Sequence, residues 1–164
     1  MRIITVQSPG AAILRRKAKP VRRITPEVVR LMDEMVEVMR REAGVGLAAP
    51  QVGLSLRVIV VEYEGKLFQL ADPEITFREG REVAQEGCLS LPGVLCDVPR
   101  ATRVVVRGRG RTGRVQEVRA EGWLARILQH EIDHLDGILI TDRVESPGDI
   151  HYTDGERLVG QVVG

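Results

Sequence analysis

Apolar residues recur at helical spacing along "TPEVVRLMDEMVEVMRREAG", residues 25–44, where Val28, Met32, Met35 and Met39 fall on one stripe. Thr25 suits an N-cap, Pro26 suits the first helical position, and Gly44 is placed to end the helix. A methionine stripe can line a binding groove, but one such face on an amphipathic helix is first a packing face, and we read it as core. The next stretch, "GVGLAAPQVG" (44–53), holds no sustained period and reads as a loop. "LRVIVVE" (56–62) is a continuous apolar run of strand length. "KLFQL" and "EITF" read as shorter strands about a turn at Asp72–Pro73. "RVVVRGRGRTGRVQEVRA" (103–120) predicts a hairpin around a Gly-rich turn, and "EGWLARILQHEIDHLDG" (121–137) a second helix closed by Gly137. "ILITDRV" (138–144) and "ERLVGQVV" (156–163) both read as strands; in the latter, β-branched residues and an internal glycine disfavour a helix.

Short strands with two helices predict an α+β fold: short antiparallel or mixed sheets packed around a central helix carrying HExxH, plus one N-terminal helix. The 164 residues fit one catalytic domain spanning 1–164, and a hydrophobic content of 43% is enough to bury a core. A net charge of +1 gives no general pull toward nucleic acid or membrane. The basic residues are lopsided, with three lysines among 24, which reads as a bias of the source rather than a function. The basic run "RGRGRTGR" (107–114) reads as a solvated hairpin tip, and with only 3% aromatic residues no direct nucleic-acid binding is expected. No apolar run has the length of a membrane span, and "MRIITVQSPG" lacks a leader pattern, so a cytoplasmic protein without membrane contact is expected. In such a reducing compartment Cys88 and Cys96 read as thiols or ligands rather than a disulfide.

The chemistry concentrates in "QHEIDHLDG" (129–137), which holds two of the three histidines. On a helix, positions four apart share a face, so His130 and His134 project together, on the stripe that also carries Trp123 and Ile127. Two imidazoles directed inward call for a metal ion, and Glu131 is then placed to act as general base on a metal-activated water. A catalytic metal commonly takes a third protein ligand. Asp142, Glu145, Asp149 and His151 are downstream candidates; Cys88, in "EGCLSLPG" (86–93), is the upstream one. Cys96 reads as a small buried hydrophobe.

Three segments, "GVGLAAPQ" (44–51), "EGCLS" (86–90) and "QHEIDHL" (129–135), in this order, resemble the motifs of the peptide deformylase family. The resemblance covers most of residues 1–143 and implies removal of the N-formyl group from the initiator methionine of nascent polypeptides. It implies Cys88, His130 and His134 as metal ligands and Glu131 as catalytic acid/base. Gln51, through its side-chain amide, and Leu89, through its backbone N–H, would donate to the formyl oxygen. Gly46 would lie against the substrate backbone. Val45, Trp123 and Ile127 are candidate lining for the methionine side chain, because they fall in the glycine-rich segment or on the helix face that carries His130. The implied cofactor is one divalent metal per chain, Fe(2+), with Zn(2+), Ni(2+) or Co(2+) able to substitute. Where the family commonly has Asn-Pro this chain has Asp72–Pro73, for which a local turn effect is expected. The tail "ESPGDIHYTDGERLVGQVVG" carries more acid than base and does not read as the basic helix by which many relatives dock on the ribosome. The ribosome stays a candidate partner without that element.

Overall fold

The structure, a computed structural model, describes residues 1–153. Helix α1 (Pro26–Arg41) starts as its sequence prescribes: the Thr25 hydroxyl accepts a hydrogen bond from the Val28 N–H at 3.3 Å. It ends three residues before the expected glycine, with Ala43 taking the left-handed conformation at φ 55° and the Gly44 N–H reaching back to the Met39 carbonyl. Met32, Met35 and Met39 are fully buried, as a packing face requires.

Five strands form one antiparallel sheet in the order β1 (Gly46–Ala48), β2 (Val58–Tyr63), β3 (Lys66–Glu79), β6 (Arg103–Arg109) and β7 (Val115–Glu121). The unbroken apolar run of β2 follows from its position. Val58 and Val60 face α1, while Ile59 and Val61 face helix α2 (Gly122–Leu135) on the other side, so both faces of the strand are buried. A second sheet joins β4 (Glu82–Cys88), β5 (Leu91–Arg100) and β8 (Ile150–Tyr152), also antiparallel. Helix α2 ends at a required glycine. Gly137 has φ 73°, and a Cβ there would lie 2.6 Å from the backbone carbon of Arg15. Among the described residues no helix is long and apolar enough to cross a membrane. The 156–163 segment lies outside the described residues.

Four expectations are corrected. The 44–53 stretch is not all loop: Gly46–Ala48 pair with β2, and Ala49–Val52 make one 3₁₀ turn. Three residues are too few to show a period. "ILITDRV" holds a short helix α3 (Ile140–Arg143) instead of a strand, because the Asp142 carboxylate caps it by accepting from the Leu139 N–H at 2.9 Å. The hairpin β4–β5 stands where the sequence pattern predicts no element. Finally, Asp72–Pro73 is not a turn between two strands but a bulge inside the single strand β3, where the register shifts between Ala71↔Arg109 and Glu74↔Arg107. Pro73 offers no N–H to the ladder, and the strand passes it by bulging.

The Asp72 effect is also not local. With φ 50°, Asp72 turns its carboxylate onto the backbone N–H groups of Val21 (2.7 Å) and Arg22 (2.8 Å), some fifty residues away. Asp72→Ala should therefore cost about 1–3 kcal/mol of stability, and Asp72→Asn less, since one acceptor oxygen survives. Denaturant midpoints of the two variants check this; equal midpoints with the unmodified chain would show that the clamp is idle.

Candidate metal centre

The hairpin β4–β5 delivers Cys88 at its tip, and α2 delivers His130 and His134 from consecutive turns. One ligand atom from each of the three lies within 4.8 Å of the others, and all three residues are buried. Cys88 Sγ is 3.5 Å from His134 Nε2, and the two imidazole rings stand 5.1 Å apart at 66°. Among the alternative third ligands, Asp142 pairs with Arg15, Glu145 with Arg81 and His151 with Asp97, while Asp149 accepts from the Ser146 N–H. The structure thus gathers the cysteine and leaves the downstream candidates in other contacts.

His130 is oriented from behind. Its Nδ1 donates to Glu86 Oε1 at 2.8 Å, which leaves Nε2 for the cluster. Glu86 is completely buried and is also held by Arg100 (2.9 and 3.0 Å) and Arg126 (2.6 Å). Burial alone would raise the Glu86 carboxyl, but the His130 hydrogen bond and the Arg100 charge hold it well below the usual carboxylate range. Arg100 continues to Asp133 (2.6 Å), which Arg143 grips with two bonds.

Burial would likewise raise the Cys88 thiol. The charge of His134 and hydrogen bonds from both imidazoles overcome it and bring the thiol down to about 6. Burial lowers both imidazoles, and their contacts with Cys88 reverse this, so each is held above the ordinary histidine value. A buried thiolate between two imidazoles is a donor set in which a divalent cation can take the place of protons.

Glu131 supplies the remaining observation. It is fully buried, and neither carboxylate oxygen has a hydrogen-bond partner among the described residues. Burial raises its pKa to about 7, against the lowering effect of the His130 and His134 charges. Gly46 explains how so large a group fits. A Cβ at Gly46 would lie 2.9 Å from the Glu131 Cγ and closer still to Oε2, so the glycine is needed first by the glutamate itself.

Gln51 is held by its own backbone. Its Oε1 accepts from the Ala48 N–H (3.0 Å), which turns Nε2 toward Ser90 Oγ (3.2 Å) and Cys88 Sγ (3.9 Å). Residues 4–6 latch onto this corner. The Ile4 N–H donates to the Gln51 carbonyl, Ser90 Oγ donates to the Ile4 carbonyl, and the Val6 N–H donates to the Ser90 carbonyl. Leu89 follows Cys88 directly and is buried; Val45 and Ile127 belong to one apolar cluster, Ile127 fully buried. Trp123 is only partly buried and lies under the Arg126 guanidinium, 6.0 Å from it. Glu86, Ser90, Arg100, Arg126 and Asp133 join the site without having been candidates on sequence grounds. A signal existed for Glu86, which stands two residues before Cys88 and hence on the same strand face.

Comparison with known proteins agrees with this geometry. The family model of polypeptide deformylase matches residues 1–149. The chain belongs to the peptide deformylase family. The peptide deformylase of Halothermothrix orenii is 50% identical over 151 residues, covering 91% of this chain and 98% of the relative. That of Symbiobacterium thermophilum is 51% identical over 146 residues, covering 87% and 67%. Among solved structures, the Synechococcus elongatus peptide deformylase in complex with actinonin superimposes with a TM-score of 0.85 at 41% identity, covering 91% of this chain and 81% of that one. The Thermus thermophilus peptide deformylase gives 0.82 at 47%, covering 88% and 86%. Like other peptide deformylases, this enzyme acts on formylated nascent peptides, and Cys88, His130 and His134 form its potential metal site.

Proposed function

We propose that residues 1–164 form one catalytic domain that hydrolyses the N-formyl group of formyl-Met polypeptides in the cytoplasm, releasing formate, with one divalent metal held by Cys88 Sγ and the Nε2 atoms of His130 and His134. The observation that carries this is the buried Glu131 carboxylate, free of hydrogen-bond partners among the described residues, beside that ligand set. A cation held by these three residues would supply Lewis acidity, lowering the pKa of an attacking water and polarising the formyl carbonyl. Glu131 takes the proton of that water and passes it to the leaving amine, a role suited to a carboxyl poised near neutrality. Gln51 Nε2 and the Leu89 N–H donate to the formyl oxygen as it gains charge; the Ala48 contact holds the Gln51 amide in place beforehand. Gly46 admits the substrate backbone, and Val45 and Ile127 line the pocket for methionine. One thiolate and two imidazoles suit several borderline metals. We assign Fe(2+), on the resemblance, with Zn(2+), Ni(2+) or Co(2+) able to replace it.

The test is formate release from a formyl-Met peptide, with metal analysis of the same sample prepared with and without oxygen. We expect turnover that is highest in anaerobic iron enzyme and stable in air after reloading with nickel or cobalt. No formate release by any metal form would overturn the assignment; zinc enzyme made in air and equally fast would overturn iron.

A further inference from the structure

We infer that Arg126 is a positioning residue that sets Cys88 and the histidine pair at metal-binding distance from each other. This rests on the metal centre proposed above and extends it to a residue one helical turn before His130. Cys88 and the histidines come from separate elements, so something must fix the hairpin β4–β5 against α2. Arg126 makes that joint. From α2 its Nη1 donates to Glu86 Oε2 (2.6 Å) and the Val98 carbonyl (2.7 Å), and its Nη2 donates to the Glu82 carbonyl (2.7 Å). One guanidinium thereby binds both strands of the hairpin that ends in Cys88. The side chain is almost fully buried, so these bonds form in a medium that strengthens them and makes their loss costly.

The same guanidinium acts on His130. Glu86 has two oxygens, and Arg126 together with Arg100 Nε occupies Oε2. That pins the carboxylate with Oε1 presented to His130 Nδ1. Arg126 thus fixes the inter-element distance directly and the His130 ring orientation through Glu86. A lysine cannot do both, because a single ammonium lacks the planar fork that reaches the carboxylate and the carbonyls together.

Co(2+) binding to the metal-stripped protein, followed through the thiolate-to-cobalt absorption, tests this. Arg126→Met should keep its folded circular dichroism and bind Co(2+) about ten- to a hundredfold more weakly, the usual loss when a residue behind a metal ligand is removed. Arg126→Lys should fall between the two. Val36→Ala, a core change on α1 away from the centre, serves as the stability control and should lower the metal-free Tm without weakening Co(2+) binding. Wild-type affinity in Arg126→Met would overturn the inference, as would an equal loss in Val36→Ala at matched Tm. Should Arg126→Met not fold, wild-type affinity and spectrum in Arg126→Lys would overturn it equally. Failure of the unmodified protein to show any Cys88-dependent cobalt spectrum would remove the metal centre itself, a different outcome from a difference between variants.

Discussion

A Glu131→Gln variant is expected to keep its metal and lose about a hundredfold to ten-thousandfold of kcat. Glutamine is the right replacement, since it preserves the shape that packs against Gly46 and removes only the ability to carry a proton. The metal should stay because Glu131 is not among the three residues whose ligand atoms converge. KM should change little, because the loss falls on a proton transfer made in the transition state. The pH profile gives a second reading. A general base works when deprotonated, so the rate of the unmodified enzyme rises with pH through the Glu131 pKa. Burial puts that value at about 7 in the metal-free chain, and the positive charge of a bound cation acts in the lowering direction, as the histidines already do. The acid limb of the metal-loaded enzyme should therefore lie below about 7 and vanish in Glu131→Gln. Near-normal turnover in a metal-loaded variant would refute the assignment.

Cys88→Ala should lose both metal and activity, while Cys96→Ala keeps both. The two cysteines are eight positions apart and both are buried, yet their surroundings are opposite. Cys88 has imidazoles beside it and a thiol brought down to about 6. At Cys96 burial and the negative charge of Glu86 push the thiol up to about 11, so it stays protonated and acts as packing. Removing the thiolate deletes one of three ligands and the only anionic one, whereas removing the Cys96 thiol costs packing energy alone. Metal content per chain decides between them, best measured across pH, because uptake displaces protons and should weaken as pH falls. Full metal in Cys88→Ala would overturn the ligand set.

The elements legible in the sequence are those long enough to show a period. Helix α1, the β6–β7 hairpin and the HExxH helix declare themselves through spacing and caps. The hairpin β4–β5 does not, because Pro92 and Gly93 punctuate it like a loop and its buried end, Glu86–Cys88, shows no alternation. Strand β1 is too short, and the β3 bulge depends on a bond from Asp72 to Val21 that no local pattern announces. The convergence of Cys88, His130 and His134, with Glu131 beside them, is legible from residue chemistry joined to motif resemblance. The ionic scaffold behind them is not. Glu86 meets Arg100, Arg126 and His130 across separations of 14, 40 and 44 residues, and each of these charges taken alone looks like a solvated one. Arg126 and Asp133 carry one usable hint: they sit within a turn of His130 on a helix buried on every side from Ala125 to Leu135.

The latch formed by Ile4 and Val6 bears on how the protein comes into being. The Ser90 hydroxyl that Ile4 accepts from is made 86 residues after Ile4, and His134 later still. No shorter N-terminal fragment can therefore assemble the pocket, and the loops that must close to form it are long ones, which slows folding. An enzyme that works on unfinished chains thus leaves its own Ile4 and Val6 waiting until more than half of the 164 residues have been made.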